Sequence, residues 1–167
     1  LVLKPIASDG IREDGEDTEY VFYSQKISQQ DIINAPKEAF TQTVTYVQNY
    51  IPKAFELRVT VVAKKVFACK IESQHLADNE GKVDWRQGYE HGLRYEPYNL
   101  PEDISEKCIK FLDKMRLNFG AFDFIVTPSG EYVFLECNPN GQWLWIEMET
   151  GLKISEAIAD ALETGEG

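Results

Sequence analysis

Two carboxylates and an amide in a predicted β-hairpin form the most promising chemical group in this sequence. Asp123 lies in one β-rich run, and Glu136 and Asn138 lie in the next. Residues two apart in a strand project to the same face, so Glu136 and Asn138 share a face. Pro128-Ser129-Gly130 is a turn sequence. Counting back from a two- or four-residue turn at this position pairs Asp123 with Glu136.

This hairpin has one functional and one structural interpretation. Opposed carboxylates repel one another unless a positive charge lies near them. Carboxylate and amide oxygens are a hard-ligand set that suits Mg²⁺ bound together with substrate phosphates. A solvated hairpin face with an accidental acidic pair is the alternative. The apolar neighbours favour a half-buried, functional pair; they are Phe122, Phe124, Val133 and Leu135.

Lys4 is the second candidate. It lies in a predicted strand over residues 1–6, and residues 7–18 follow with two glycines and five acidic side chains. These features predict a mobile loop. The lysine would place a point charge on a phosphate, with the loop as a lid. A lysine that extends its amine from an edge strand into solvent is the alternative.

Two arginines and a predicted hinge complete the set of candidate residues. Arg58 interrupts an apolar alternation and is a candidate anion-binding group, whereas Arg86 lies in a predicted loop and could be an ordinary surface residue. A hinge just before Pro52 could present backbone groups to a purine edge, although taken alone it marks only a boundary. The hinge residues are Gln48, Asn49, Tyr50 and Ile51. His75 and His91 have no partner at a useful spacing.

The elements that must position these residues alternate between hairpins and helices. Residues 55–63 and 65–71 predict one hairpin, residues 120–127 and 131–137 predict another, and residues 20–23 predict a single strand. Helices are expected from Pro36 through Val47, from Pro101 through Met115 and over 155–162. Met115 is expected on the apolar face of the second helix, and Leu162 is expected to face inward in the third. Residues 76–98 show no period and predict a loop. The pattern indicates an α+β fold.

Composition excludes several classes of protein. The chain has 167 residues and 17 basic against 28 acidic side chains, a net charge of −11. This acidity argues against sequence-independent binding of nucleic acid or anionic membranes. No apolar run approaches the roughly 20 residues of a membrane span. Three widely spaced cysteines indicate neither a disulfide framework nor a zinc site, so we expect a cytoplasmic protein.

Taken in their order along the chain, the candidate residues resemble the ATP-grasp fold, in which antiparallel sheets pack with helices. That pattern runs from a lysine strand and flexible loop, through an adenine hinge and an arginine strand, to an Asp strand and Glu-x-Asn. A narrower resemblance is to the microviridin-type peptide maturases, or graspetide synthetases. It rests on four segments: Phe-Glu-Leu-Arg-Val-Thr-Val from residue 55, Val-Asp-Trp-Arg from 83, Phe-Gly-Ala-Phe-Asp-Phe from 119 and Glu-x-Asn-Pro-Asn-Gly-Gln-Trp from 136.

The resemblance implies an activity. ATP would phosphorylate a side-chain carboxylate of a ribosomal precursor peptide, made of leader and core, and a hydroxyl or amine would attack the acyl phosphate to close an ester or amide macrocycle. Lys4 would bind the ATP phosphates and residues 48–51 the adenine. Arg58 and Arg86 would bind the transferring phosphate or activated carboxylate. The three ligands of two Mg²⁺ ions would be Asp123, Glu136 and Asn138.

The resemblance also implies a domain organisation. The whole chain, 1–167, would be the nucleotide- and metal-binding region, with the lysine strand, loop and hinge in 1–50 and the C-terminal subdomain in 51–167. The abrupt start at Leu1 leads us to expect that the N-terminal subdomain of the family is absent. Many ATP-grasp ligases carry an arginine where this chain has Lys70-Ile71-Glu72, and by this resemblance Arg86 would take its place. A homodimer is one possible assembly.

Two other functions stay open at this stage. One is an ATP-grasp ligase that acts on an amino acid or a protein tail. The other is a non-catalytic module that binds a leader peptide along an exposed strand edge at residues 65–71. The complete set of predicted metal ligands argues against the second.

Overall fold

The structure, a computed structural model, describes residues 1–4, 11–12, 19–40, 44–77 and 79–165. The chain forms two compact units, Leu1–Ile51 with His75–Gly92 and Pro52–Gln74 with Leu93–Gly167. The division expected from the sequence lies at residue 50. In the structure, the segment from His75 to Gly92 joins the first unit.

The described residues contain ten strands, five α-helices and two 3-10 helices. The strands are β1 (Val2–Lys4), β2 (Ile11–Arg12), β3 (Glu19–Tyr20), β4 (Gln25–Lys26), β5 (Tyr46–Gln48), β6 (Phe55–Val62), β7 (Lys65–Glu72), β8 (Arg94–Pro97), β9 (Phe119–Val126) and β10 (Tyr132–Asn138). The α-helices are α1 (Gln29–Asn34), α2 (Asn79–Val83), α3 (Glu102–Met115), α4 (Leu144–Thr150) and α5 (Ile154–Thr164). The 3-10 helices are Lys37–Phe40 and Trp85–His91. No helix in the described part of the chain is long and apolar enough to cross a membrane.

The first unit contains a three-stranded antiparallel sheet in the order β4-β1-β5. Val2 lies opposite Gln48, and Lys4 lies opposite Tyr46. Directly opposed residues project from the same face of a sheet, and so do residues two apart. Lys4 and Gln48 therefore share a face of this sheet.

The predicted helix from Pro36 through Val47 is wrong. The structure has a 3-10 helix at Lys37–Phe40, and Val47 lies in β5, opposite Leu3 of β1. Val44, Thr45 and Val47 are β-branched and favour extended backbone, and β1 provides a strand to pair with. The predicted strand over 20–23 is also wrong beyond Tyr20, where β3 ends.

Helix α1 was not predicted, although its start has a sequence signal. The Asp31 backbone N–H donates to Ser28 Oγ over 3.1 Å, and the Ser28 N–H donates to Asp31 Oδ2 over 2.7 Å. This reciprocal arrangement is a capping box. The predicted loop at 7–18 lies outside the described residues, except that Ile11–Arg12 pairs with Glu19–Tyr20.

The second unit is built on a five-stranded antiparallel sheet in the order β10-β9-β6-β7-β8. One face packs against α3 through a buried apolar cluster that contains Leu57, Val59, Val61, Ala68, Cys108, Leu112, Phe122, Phe124 and Val126. The opposite face meets α4 and α5, where Ile146, Ile154 and Ala157 are buried. Both predicted hairpins are confirmed as β6–β7 and β9–β10.

Two other expectations need correction. The predicted loop at 76–98 contains α2, a 3-10 helix and β8. Its short β8 forms because β7 offers a partner, with Ile71 opposite Tyr95, which no local pattern reveals. Helix α3 begins after Pro101 as predicted, but Met115 at its end is 58% exposed, and Leu162 on α5 is 79% exposed.

The buried hydroxyl of Thr60 generates a stability prediction. Thr60 is fully buried in β6, and its Oγ1 makes no hydrogen bond to any described residue. A buried polar group without a partner costs free energy, so Thr60→Val should raise the free energy of unfolding by about 1 kcal/mol. Chemical denaturation measures this change.

Thr150→Val is the matched control for that change. The Thr150 hydroxyl donates to the Ile146 carbonyl over 2.5 Å, so its removal should destabilise the protein. A loss of stability in Thr60→Val would mean that this hydroxyl has a partner and would contradict the prediction.

Candidate functional site

A row of charged side chains crosses three neighbouring strands of the second unit. Arg58 on β6 lies opposite Asp123 on β9, and Asp123 lies opposite Glu136 on β10. Arg58 Nε is 2.8 Å from Asp123 Oδ1. Directly opposed residues share a face, so all three project toward the side of the sheet that carries α4 and α5. We call these three residues the charged row.

The predicted pairing of Asp123 with Glu136 is confirmed, but the register near the turn is one residue away from the predicted one. The Thr127 N–H donates to the Glu131 carbonyl over 2.9 Å, which leaves a three-residue loop. The register then shifts between Phe134 and Glu136, where one extra residue forms a β-bulge. This bulge offsets the difference at the turn and restores the pairing that the sequence predicts.

The charged row contains one positive and two negative side chains. The Arg58 and Asp123 side chains are 14% and 19% exposed, so solvent screens their attraction only weakly. Glu136, on the outer strand, is exposed. One cation therefore lies beside two carboxylates, and the row carries one excess negative charge that a metal cation could neutralise.

Asn138 projects from the same face, one position beyond the charged row. It lies opposite Ala121, and its Oδ1 accepts a hydrogen bond from the Asn140 backbone N–H over 2.8 Å. A carbonyl oxygen has two lone pairs, so this bond fixes the amide while leaving acceptor capacity. In the described part of the chain, no group of three or more His, Cys, Asp and Glu side chains is placed to hold a metal. The predicted set has two carboxylates and an amide.

Cys69 on β7 and Cys137 on β10, the second on the opposite face from the charged row, are poor nucleophiles. Cys69 lies opposite Arg58, and burial raises the pKa of its thiol to about 12 despite the opposing effects of a backbone hydrogen bond at Glu96 and the Arg58 charge. Burial, together with the Asp123 charge, also raises the pKa of Cys137. Both thiols therefore stay protonated at neutral pH.

The first unit holds Lys4 and the predicted adenine hinge. Gln48 Nε2 donates to the Tyr46 hydroxyl over 2.6 Å, and Tyr46 lies opposite Lys4. The Lys26 ammonium lies 4.3 Å from the centroid of the Tyr50 ring. Lys4, Gln48, Tyr50 and Ile51 are half-buried, and Asn49 is exposed. The structure thus brings Lys4 and the start of the hinge together on one small sheet.

Arg86 also belongs to the first unit and has a structural partner that the sequence did not reveal. Its Nε and Nη2 donate to the two carboxylate oxygens of Asp84, over 2.9 and 2.6 Å. Asp84 is 6% exposed and also accepts from the Ser24 backbone N–H over 2.9 Å. Asp-x-Arg spacing is the local signal for this pair, whereas Ser24 lies 60 residues away. The predicted catalytic role of Arg86 stays a prediction.

Among the predicted site residues, the structure brings four together on one sheet, and the others lie in the first unit. Arg58, Asp123, Glu136 and Asn138 meet on one face of the five-stranded sheet in the second unit. The first unit holds Lys4, the hinge and Arg86.

Comparison with known proteins identifies the family to which this fold belongs. Residues 13–162 match the model of the RimK-like ATP-grasp domain. The chain belongs to this family. No curated protein matches the sequence.

The solved structures that resemble this chain include peptide macrocyclases. Macrocyclase MdnC from Microcystis aeruginosa MRC, bound with precursor peptide MdnA, is 34% identical, with a TM-score of 0.80 over 98% of this chain and 49% of MdnC. The RiPP-associated ATP-grasp ligase of Chryseobacterium gregarium, in complex with ADP and a leader and core peptide, is 32% identical, with a TM-score of 0.82 over 98% of this chain and 48% of the ligase. Macrocyclase MdnB from Microcystis aeruginosa MRC is 37% identical, with a TM-score of 0.56 over 83% of this chain and 46% of MdnB. The chain spans about half the length of these proteins.

The ion pair in the charged row predicts an energetic coupling. In a double-mutant cycle of Arg58→Met and Asp123→Asn, we expect a coupling free energy of about 1–2 kcal/mol, because the pair is largely shielded from water. Urea unfolding of the four proteins measures it. The pair of Lys107 and Asp103 on α3, with side chains 68% and 66% exposed, is the control and should couple much more weakly. Equal coupling in both pairs would contradict the assignment.

The burial of Asp84 predicts a pH dependence of stability. Burial favours the neutral acid, but the hydrogen bond and charge of Arg86, with backbone N–H donors, outweigh it and lower the pKa below the ordinary 3.8. A lowered pKa contributes stability that is present above the unfolded-state value and is lost as the pH falls through the folded-state value. In Asp84→Asn, unfolding free energy should be lower at neutral pH, and its decline in acid should be shallower. Urea unfolding at pH values from 7 to about 3 measures both. An unchanged acid decline would contradict this prediction.

Proposed function

We propose that this chain is the nucleotide- and metal-binding region of an ATP- and Mg²⁺-dependent ligase that cross-links a ribosomal precursor peptide. The enzyme would phosphorylate Asp or Glu side chains of the peptide, and hydroxyl or amine groups of the same peptide would displace the phosphate. The products would be macrocyclic esters or amides.

One observation carries the proposal. The charged row and Asn138 lie on one face of the sheet in a chain that belongs to the RimK-like ATP-grasp family. The resemblance to MdnC and to the Chryseobacterium ligase, both above 30% identity, supports a peptide as the substrate.

The residues present fit the implied metal and nucleotide. ATP-grasp enzymes use ATP and Mg²⁺. Asp123, Glu136 and Asn138 supply the oxygen ligands that Mg²⁺ prefers, and the excess negative charge of the row favours a cation. In the first unit, Lys4 would hold phosphate oxygens and residues 48–51 would hold the adenine. When bound, Mg²⁺ would neutralise phosphate charge during transfer.

The side chains of this region would act by position and charge. The Arg58 guanidinium, paired with Asp123, offers hydrogen-bond donors in a fixed plane. Such a donor stabilises negative charge that develops on a phosphoryl group or an activated carboxylate. No protein nucleophile is needed, because the attacking hydroxyl or amine belongs to the peptide.

The structure weakens the alternative of a binding module that uses residues 65–71 as an exposed edge. Strand β8 pairs with Cys69–Glu72, and the Tyr98 N–H donates to the Ala68 carbonyl over 2.9 Å. Much of that edge is therefore covered, and a peptide could not add to it there.

Mass spectrometry of candidate precursor peptides tests the proposed reaction. The product of the complete gene should be incubated with ATP, Mg²⁺ and peptides that contain Thr or Lys together with Asp or Glu. Each cross-link should lower the peptide mass by one water, about 18 Da, because acyl transfer condenses two groups. Glu136→Gln should reduce the rate by about two orders of magnitude or more through loss of a charged ligand.

Glu131→Gln is the matched control, because Glu131 is exposed on the same hairpin outside the charged row. It should cross-link at the wild-type rate. ATP turnover on a free amino acid without any peptide mass loss would contradict the proposal and favour a ligase for small substrates.

A further inference from the structure

Gly141 lies unusually close to the sheet that carries the charged row. A Cβ atom at this position would be 2.4 Å from Ala121 Cβ, and 3.4 Å from both Arg58 Nη1 and the Asn138 carbonyl oxygen. Real Cβ atoms do not approach other atoms to 2.4 Å, and Ala121 Cβ is fixed to a buried strand. Any other residue must therefore displace the backbone at 141.

Space, and not backbone conformation, requires glycine here. Gly130 and Gly151 have φ of +82° and +73°, and a Cβ atom there would meet nothing within 4 Å. Gly141 shows the opposite case, because its φ is outside the left-handed region while its surroundings are full. A close approach of backbone to a neighbouring strand is the second recognised use of glycine.

Gly141 lies in the turn that fixes the Asn138 side chain. The Gly141 N–H donates to the Asn138 carbonyl over 3.3 Å, and the Asn140 N–H donates to Asn138 Oδ1 over 2.8 Å. Asn138 itself lies opposite Ala121. The backbone of residues 138–141 thus folds back over Ala121 and fixes the Asn138 amide, and Gly141 itself lies close to Arg58.

We propose that Gly141 is a positioning residue, which seats this turn on Ala121 and thereby sets Asn138 and the Arg58 guanidinium for a nucleotide–metal complex. The inference rests on the proposed function and adds a residue to its site. Gly141 touches no ligand in this account. Because glycine has no Cβ atom, the turn can pack directly against Ala121, on the face of the sheet that carries the charged row.

The colliding atoms define a rescue experiment in the product of the complete gene. Gly141→Ala should weaken binding of Mg²⁺ with a non-hydrolysable ATP analogue by tenfold or more, measured by calorimetry. The added Ala121→Gly change removes the atom that the new Cβ meets. The double variant Ala121→Gly/Gly141→Ala should therefore regain most of the lost affinity, although its melting temperature stays below that of the wild type.

Gly120→Ala is the matched control. Its Cβ would be 2.7 Å from Leu112 Cδ2 and 2.9 Å from Cys137 Sγ, on the face that packs against α3. This change should lower the melting temperature and leave the affinity within twofold of the wild type. A purely structural role for Gly141 would make the two glycines behave alike.

Three results would overturn the inference. They are wild-type affinity in Gly141→Ala, no recovery in the double variant, or an equal loss of affinity in Gly120→Ala. Each of these leaves the proposed function standing. Wild-type protein that binds no nucleotide would instead overturn the proposed function, and this inference with it.

Discussion

The pairing of Arg58 with Asp123 is the interaction on which the site depends. Asp123 projects from a strand whose next neighbours, Phe122 and Phe124, are buried. A carboxylate at such a position needs a cation, and a second carboxylate opposite it increases that need. Arg58 supplies the charge from the adjacent strand at 2.8 Å. The pair lets Asp123 carry a negative charge on a strand whose flanking residues are buried and apolar.

A second constraint acts on β10, the strand that carries Glu136 and Asn138. Phe134 contacts the rings of Phe122 and Phe124, whereas Glu136 must face Asp123 on the opposite side of the sheet. Strict alternation would place residues 134 and 136 on the same face. The bulge between them resolves the conflict, because one extra residue changes the face of everything that follows. The apolar core and the charged row can then share one strand.

The sequence predicted those features that depend on local pattern and on motif. Both long hairpins, the start of α3 and the pairing of Asp123 with Glu136 followed from alternation, turn residues and Pro101. The extended course of β5 and the existence of β8 depend on partner strands far along the chain. The apolar spacing at residues 44–47 and the lack of a period at 76–98 were therefore misleading. The partnership of Asp84 with Ser24 spans 60 residues and has no sequence signal.

The position of the bulge was not predictable for a related reason. A turn that is one residue longer and a bulge that adds one residue cancel in the pairing of Asp123 with Glu136, so a simpler register gave the same pair. The space around Gly141 was also invisible in the sequence, because it depends on how close the turn comes to Ala121. Sequence motifs therefore identified the candidate ligands, and the packing that holds them needed the structure.

The location of the metal ions tests the central claim most directly. Crystals of the product of the complete gene, grown with a non-hydrolysable ATP analogue and Mn²⁺, would reveal the ions by anomalous scattering, because Mn²⁺ takes the same oxygen ligands as Mg²⁺. We expect the anomalous peaks to lie within bonding distance of oxygens from Asp123, Glu136 and Asn138. Peaks at other residues, with these three side chains making no metal contact, would contradict the account.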